Sequence, residues 1–355
     1  MQRIGVVAIG MLVSAASGCS SEEACDPTSQ ECSYSASVST LTVAAGREDE
    51  DTCQSWTLNN PTELWVNTIT QHNDGAYHHA NWFFVPDNNF TLPDGTWPCA
   101  ANQFDELAAA LQGGYLFALS TQSHDETQNL PAGSAVRIPP YSRIIGASHL
   151  QNALDQDVTT TMRLTIDTIP PGAVTAKLAP ARIQYLDLHI DPAAKSSFTT
   201  ECQIDDANTK LWNNPLEYTL YYTLTHYHTL GMYQQLEVLG GPHDGQVIMR
   251  HDGTGNNAGT AIDPPLDLVA LGAHGLRLTC GFDNPRSAEV KWGIGDQEMC
   301  VIALQATTNI GWAGDVTGGD ATVGIAPSGE VQHAAPCSMA AFPWDFDKPG
   351  GTGPH

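Results

Sequence analysis

An all-β chain built as tandem sandwich or jelly-roll domains is predicted by three observations. The 355 residues include 32 Gly and 22 Pro, which favour many turns over long helices. Short β-type runs recur between clusters of Pro, Gly, Asn and Asp. A Pro-rich join, Ile169-Pro170-Pro171-Gly172, sits near the middle and is followed by Lys177-Leu178-Ala179-Pro180, so the chain divides near residue 180. Hydrophobic residues at 41% are enough to fill a core in each half.

Taken in order, Met1-Gln2-Arg3 precedes an apolar run from Ile4 to Val13 and the small residues Ala16-Ser17-Gly18. An apolar core of about ten residues is half of the ~20 that a membrane span needs, so residues 1–18 read as a secretory signal peptide. Cys19 directly after Ala-Ser-Gly resembles a bacterial lipoprotein processing site, which predicts lipidation at Cys19. The chain is then exported, either anchored at a periplasmic or cell-surface membrane through that lipid alone, or secreted. Eight of the nine cysteines remain, an even number that suits disulfides in an oxidising compartment.

Residues 19–36, with the close pair Cys25 and Cys32, read as a lipoprotein tether. A first β-sandwich is expected over 37–180, with strands at Val38–Val43, Trp56–Leu58, Leu64–Ile69, Ala80–Val85, Tyr115–Leu119, Ala135–Ile138, Arg143–Ile145 and Thr159–Ile166. One helix interrupts at Asn102–Gln112, where Phe104, Leu107 and Leu111 have helical spacing. A second sandwich is expected over 181–341, with strands at Gln184–Ile190, Glu217–Thr225, Gln234–Leu239, Gln246–Arg250, Gly275–Cys280 and Cys300–Ala306. The Pro- and Gly-rich residues 342–355 read as a frayed tail.

Charge limits the partners. With 14 Lys and Arg against 39 Asp and Glu, the formal net charge is -25, so a phosphate backbone is repelled and nucleic acid is excluded. No Gly-x-Ser-x-Gly elbow or phosphate loop supports a hydrolase or nucleotide enzyme. Asp252–Asn257 and Gly314–Asp320 lack the spaced carboxylates of a calcium loop and read as turns. Asn89-Phe90-Thr91 is a glycosylation sequon of small value in a bacterial protein.

The stretch Leu224-Thr225-His226-Tyr227-His228-Thr229-Leu230 carries the chemistry. On a strand, His226 and His228 share a face and can hold one metal ion. Met299, in Gln297-Glu298-Met299-Cys300, is the best third donor, and two imidazoles with one thioether favour copper, Cu(I) in particular. His78 and His79 are neighbours, which a regular strand sends to opposite faces; they can share a metal only if the backbone kinks there or each uses a different ring nitrogen. His149 ends an apolar run. His72, His124, His189, His243, His251, His274 and His333 read as surface or satisfied core residues, His189 being the most suggestive because it falls on a strand.

Together, His78-His79, His149, His226-Tyr227-His228-Thr229-Leu230-Gly231 and Glu298-Met299-Cys300 resemble, in order and over roughly residues 45–340, the copper type II, ascorbate-dependent monooxygenases. This is the family of peptidylglycine α-hydroxylating monooxygenase and dopamine β-hydroxylase. The resemblance implies two tandem jelly-roll β-sandwich domains and two copper ions. His78, His79 and His149 would hold an electron-donating copper, and His226, His228 and Met299 the copper where O2 meets an aliphatic C–H bond. The domains would face each other across a cleft, with ascorbate or another one-electron donor as co-substrate. It also implies the disulfides Cys53–Cys99, Cys280–Cys300 and Cys202–Cys337, and leaves Cys25 to pair with Cys32.

Departures bear on the substrate. Where the peptide hydroxylases place an Arg two residues before the first His of the HxH, this chain has Leu224; their Asn and Tyr after the Met are Val301 and Ala303, and the polar residue two before the single His is Ala147. The implied pocket is apolar, and the expected substrate is a small hydrophobic or aromatic molecule acted on by a monomer. A non-catalytic copper-binding lipoprotein on the same fold is the alternative. A carbohydrate- or surface-binding jelly roll with incidental histidines is the third reading.

Overall fold

In the strand Val158–Thr168 every second residue is buried, namely Thr160, Met162, Leu164, Ile166 and Thr168, as a sheet with one face in a core requires. The computed structural model describes residues 25–119, 123–253, 259–293 and 295–346. The expected signal peptide, Cys19 and residues 347–355 lie outside them. The first half forms β1 (Cys32–Val43), β2 (Glu48–Thr57), β3 (Leu64–Asn73), β4 (Tyr77–Pro86), β5 (Gly95–Pro98), α1 (Glu106–Gln112), β6 (Gly114–Leu119), β7 (Asp125–Asn129), β8 (Ser134–Ile138), β9 (Ser142–Gln151) and β10 (Val158–Thr168).

The second half forms β11 (Ala176–Tyr185), β12 (His189–Ile190), β13 (Ala194–Cys202), α2 (Ile204–Trp212), β14 (Tyr218–His226), β15 (Gly231–Leu239), β16 (Val247–Asp252) and β17 (Gly259–Asp267). It continues with β18 (Gly275–Asn284), β19 (Val290–Lys291), β20 (Val301–Thr308), β21 (Ile310–Val316), β22 (Ala321–Ile325), β23 (Val331–Pro336) and β24 (Ser338–Pro343). The protein is all-β, two sandwiches in tandem.

In the first sandwich the sheet β1-β10-β3-β8, with β7 on β3, faces the sheet β5-β2-β9-β4-β6. Between them lies a core that includes Leu64, Ile69, Trp82, Phe117, Ile144, Leu164 and Ile166. In the second, β11, β20, β14 and β17 with β21 and β24 face β16-β15-β18-β13-β23-β22, across a core that includes Ile183, Phe198, Leu236, Leu278, Phe282, Ile302 and Leu304.

The strand β11 joins the sandwiches. Ala176, Lys177 and Leu178 pair in parallel with β8 of the first, whereas Ala179 to Gln184 pair antiparallel with β20 of the second. Residue 180 therefore lies where one strand changes partners, and a single eleven-stranded sheet runs through both halves.

A bulge in β14 turns that shared sheet to account. Leu220 pairs with Ala306 and Tyr222 with Gln305, which leaves Tyr221 as the extra residue. Before the bulge, Tyr218 and Leu220 point into the second core. After it, Tyr222 and Leu224 point into the first. The bulge thus converts an outer face of one sandwich into a lid on the other, and His226, two residues beyond Leu224, follows the same face.

Several expectations are corrected. The tether is shorter than 19–36, because residues 32–36 belong to β1 and pair with β10; Ser33, Ser35 and Ser37 are exposed while Cys32, Tyr34 and Ala36 turn inward, a period-two pattern masked by small side chains. The tail is described as far as Phe346, whose carbonyl accepts from Arg137 Nη1 at 3.1 Å. The helix near residue 102 begins only at Glu106, where the Asp105 side chain caps the Ala108 N–H at 2.7 Å. The strand expected over Gln184–Ile190 breaks after Tyr185, because Leu186 and Asp187 both donate to the Val316 carbonyl. Helix α2 was not anticipated.

The three disulfides that the resemblance implies, Cys53–Cys99, Cys202–Cys337 and Cys280–Cys300, are formed, as is the remaining pair Cys25–Cys32. Such a set belongs to an exported protein. Among the described residues no helix is long and apolar enough to cross a membrane.

Candidate metal centre

The adjacent histidines sit on a bulge. In the β4–β9 pair Tyr77 faces Leu150 and His79 faces His149, so His78 is the extra residue. This local kink lets neighbours that would otherwise diverge lie side by side, with ring centroids 4.0 Å apart. The ring of His149 stands 5.0 Å from that of His78 and 5.7 Å from that of His79. One nitrogen from each of the three lies within 4.8 Å of the others. Beside them Gln54, fully buried, accepts from Tyr77 and Ser148 and so ties β2, β4 and β9 together.

His226 and His228 reach the same place by another route. Strand β14 ends at His226, so alternation along a strand does not place His228. A turn does: the Gly231 N–H donates to the His228 carbonyl at 3.1 Å. The fully buried Glu298 carboxylate accepts from the N–H of His228 at 2.8 Å and of Leu230 at 2.7 Å. Gly231 is required there, because a Cβ would stand 1.9 Å from the Tyr227 ring. His228 Nδ1 donates to the Gln297 carbonyl at 2.8 Å. That bond fixes the tautomer and leaves Nε2 as the lone-pair donor.

His78, His79, His149, His226 and His228 form one cluster rather than two sites across a cleft. His79 Nε2 lies 3.0 Å from His228 Nε2, the two rings stack at 4.9 Å, and the His226 ring is 4.6 Å from that of His79. His79 belongs both to the group with His78 and His149 and to a group with His226 and His228. The cleft expected between the domains is closed, because β14 packs on the first core.

Both ring nitrogens of His78 and of His149, and Nδ1 of His79, are buried without a hydrogen-bond partner. Burial pushes His78 down to about 4, helped by His149 and His228. Burial, with His226 next in effect, drives His79 well below the usual imidazole value. His228 is lowered by burial against the opposing pull of the Gln297 carbonyl. His78, His79 and His228 are thus held neutral, the form in which a ring nitrogen can bind a metal. Glu298 is raised to about 7 by burial, although backbone amides oppose the shift.

Of the sequence-predicted ligands, the structure brings the five histidines together. Met299 follows Glu298 and precedes Cys300, so its backbone is held between the carboxylate that anchors His228 and the disulfide to Cys280; its role as a ligand rests on the resemblance. Leu224 and Ala303, expected beside a substrate, line a cavity of about 10 Å³ with Tyr115, Tyr222 and Gln305, room for a single water.

Further contacts, around and away from this centre, were not read from the sequence. Glu48 Oε1 lies 2.8 Å from His149 Nε2, and Glu48, Glu50 and His149 form a further group of potential ligands. Tyr227 shares a 2.6 Å hydrogen bond with His251 Nδ1. His189 and His333, read as incidental, meet Asp320 in a separate group.

No family model matches the chain, and no curated protein does. Among solved structures it is similar to a chain of the Sulfolobus turreted icosahedral virus, with a TM-score of 0.24 and 7% identity, over 76% of this chain and 59% of that one. It is also similar to a protein of Parabacteroides distasonis described as secreted, with a TM-score of 0.21 and 8% identity over 78% and 89%. A subviral particle of infectious bursal disease virus matches with a TM-score of 0.17 and 11% identity over 80% and 72%. Likenesses this distant do not bear on function.

Proposed function

We propose that the chain is an exported copper-dependent monooxygenase that hydroxylates an aliphatic C–H bond of a small apolar or aromatic molecule, using O2 and a one-electron donor such as ascorbate. One observation carries the reading: five imidazoles from both sandwiches converge, His78, His149 and His228 buried and His79 and His226 half-buried, and five ring nitrogens of His78, His79 and His149 have no hydrogen-bond partner. Buried polar atoms left unpaired are costly, and a cation that accepts one lone pair from each of the His78, His79 and His149 rings accounts for one such nitrogen on each. The donor set fits copper. Within this one cluster the resemblance assigns His78, His79 and His149 to one ion and His226, His228 and Met299 to a second beside it, with His79 reaching both groups. Bound copper supplies one-electron transfer and the activation of O2.

The protein's own part is positioning and exclusion of water. The bulge at His78 aligns one set, the bulge at Tyr221 aims His226, and Glu298 with the Gln297 carbonyl orients His228. Substrate would enter where Leu224 and Ala303 lie, which requires the sandwiches to part along the outer face of β14. A lipid tether at Cys19 completes the proposal.

The alternative, a non-catalytic copper-binding lipoprotein, is favoured by the 10 Å³ cavity, which admits no substrate as it stands. Ascorbate-driven O2 uptake by the copper-loaded protein, followed by a substrate screen, separates the two. Uptake coupled to hydroxylation and abolished in Met299→Ala supports the oxygenase. Copper binding without ascorbate-dependent uptake supports the alternative, and turnover retained in Met299→Ala contradicts the assignment of the oxygen-activating set.

A further inference from the structure

We propose that His189, Asp320 and His333 form a zinc site that clamps the second sandwich, independent of the five-histidine centre. His189 opens β12, His333 lies on β23 and Asp320 immediately precedes β22, the partner of β23, so one ion would tie β12 to the distant β22–β23 pair. Asp320 Oδ2 stands 2.8 Å from His333 Nδ1 and 3.2 Å from His189 Nε2.

A zinc ion bonded at about 2.0 to 2.1 Å to three ligands in tetrahedral geometry places the ligand atoms about 3.3 Å apart. Both distances from Asp320 lie within about half an ångström of that spacing, and the three ligand atoms lie within 4.8 Å of one another.

The surroundings are built as a ligand site requires. His189 Nδ1 donates to the Asp187 carbonyl at 3.2 Å, which directs the Nε2 lone pair at the carboxylate. Two acceptors then face each other at 3.2 Å. A cation between them resolves that conflict, as would a proton on Nε2. The Tyr185 hydroxyl donates to Asp320 Oδ1 and so turns Oδ2 toward the imidazoles. The His333 ring is stacked on Phe198 at 4.6 Å, which fixes its plane.

Enclosure selects the metal. Asp320 and His333 side chains are 4% and 5% exposed, whereas His189 is 36% exposed, so the group opens to solvent on one side only. Zinc with three protein ligands needs a single further water. Octahedral Fe(II) on two His and one carboxylate needs three open positions, and calcium or magnesium prefers an all-oxygen set.

The test is equilibrium dialysis of the full chain against Zn2+, comparing the parent with His189→Ala and Asp320→Asn, and with His226→Ala as the control for the five-histidine centre. His189 is partly exposed, so its replacement spares the core. The expected result is one equivalent of zinc lost in His189→Ala and in Asp320→Asn but retained in His226→Ala, together with a zinc-induced rise in unfolding temperature that His189→Ala removes. Equal zinc content in the parent and His189→Ala would overturn the proposal. So would a zinc-induced rise in the unfolding temperature of His226→Ala that is unchanged when His189→Ala is added.

Discussion

The Nε2 atoms of His79 and His228 stand 3.0 Å apart although 149 residues separate them in the chain. One belongs to the first sandwich and the other to the second. The contact exists because β11 is shared by both halves and because β14 turns its Tyr222–Leu224–His226 face onto the first core. The histidine centre is therefore a property of the junction between sandwiches, and its stability depends on residues that set the backbone around it.

Gly231 is the sharpest such residue. A Cβ there meets Tyr227 Cδ2 at 1.9 Å, and the Tyr227 hydroxyl is tied to His251 Nδ1 at 2.6 Å, so the ring has little room to yield. Gly231→Ala is expected to destabilise by about 1 to 3 kcal/mol, as overpacking does. Denaturant unfolding checks this as a lower midpoint at unchanged slope.

Glu298 holds the turn that carries His228. Glu298→Gln offers one acceptor oxygen where two amides now donate, and leaves a buried N–H facing an NH2 group. The expected loss is about 1 to 3 kcal/mol, with copper affinity reduced at the His226 and His228 set and unchanged at the His149 set. Copper titration of the variant beside its unfolding midpoint reads both effects.

The neutral, buried imidazoles impose a pH dependence on the metal-free protein. His78 titrates at about 4 when folded and near 6.5 when unfolded. As pH falls below 6.5 the unfolded chain takes up the proton first, so stability falls between 6.5 and about 4, by roughly 3 kcal/mol for His78 alone. His79 and His228, lowered by the same burial, act in the same direction. Glu298, raised to about 7 by burial, takes up its proton first in the folded protein and opposes this loss over the same range. The test therefore compares the parent with His78→Gln: unfolding midpoints at pH 7.5, 5.5 and 4.5 should fall more steeply in the parent, and parallel profiles would contradict the burial of His78.

The Cys280–Cys300 bond closes a loop of 20 residues, for which loop entropy predicts about 3 kcal/mol. Replacing both cysteines by alanine should lower stability by about that amount. Because Cys300 adjoins Met299, the same change should loosen copper at the second set before the first. Metal release followed against chelator concentration, compared with the parent, tests the order.

The alternation of short apolar runs with Pro, Gly and Asn clusters made the all-β architecture legible, since each strand needs one inward face whatever its partners. The five histidines were legible as residue types and as a resemblance. Their convergence was not, because it depends on bulges at His78 and Tyr221, which leave no mark in a period-two pattern. Glu298 was visible only as the neighbour of Met299; its role follows from a hydrogen-bond geometry 68 and 70 residues removed in sequence. Asp320 lay in a stretch that reads as a turn, and nothing local in Gly318-Gly319-Asp320 points to His189 and His333.

Copper stoichiometry of the purified protein, with His149→Ala and Met299→Ala beside the parent, tests the central claim most directly. The account predicts two coppers in the parent, one weakened by His149→Ala and the other by Met299→Ala. A single copper held by the clustered histidines, lost in His149→Ala and untouched by Met299→Ala, would contradict it.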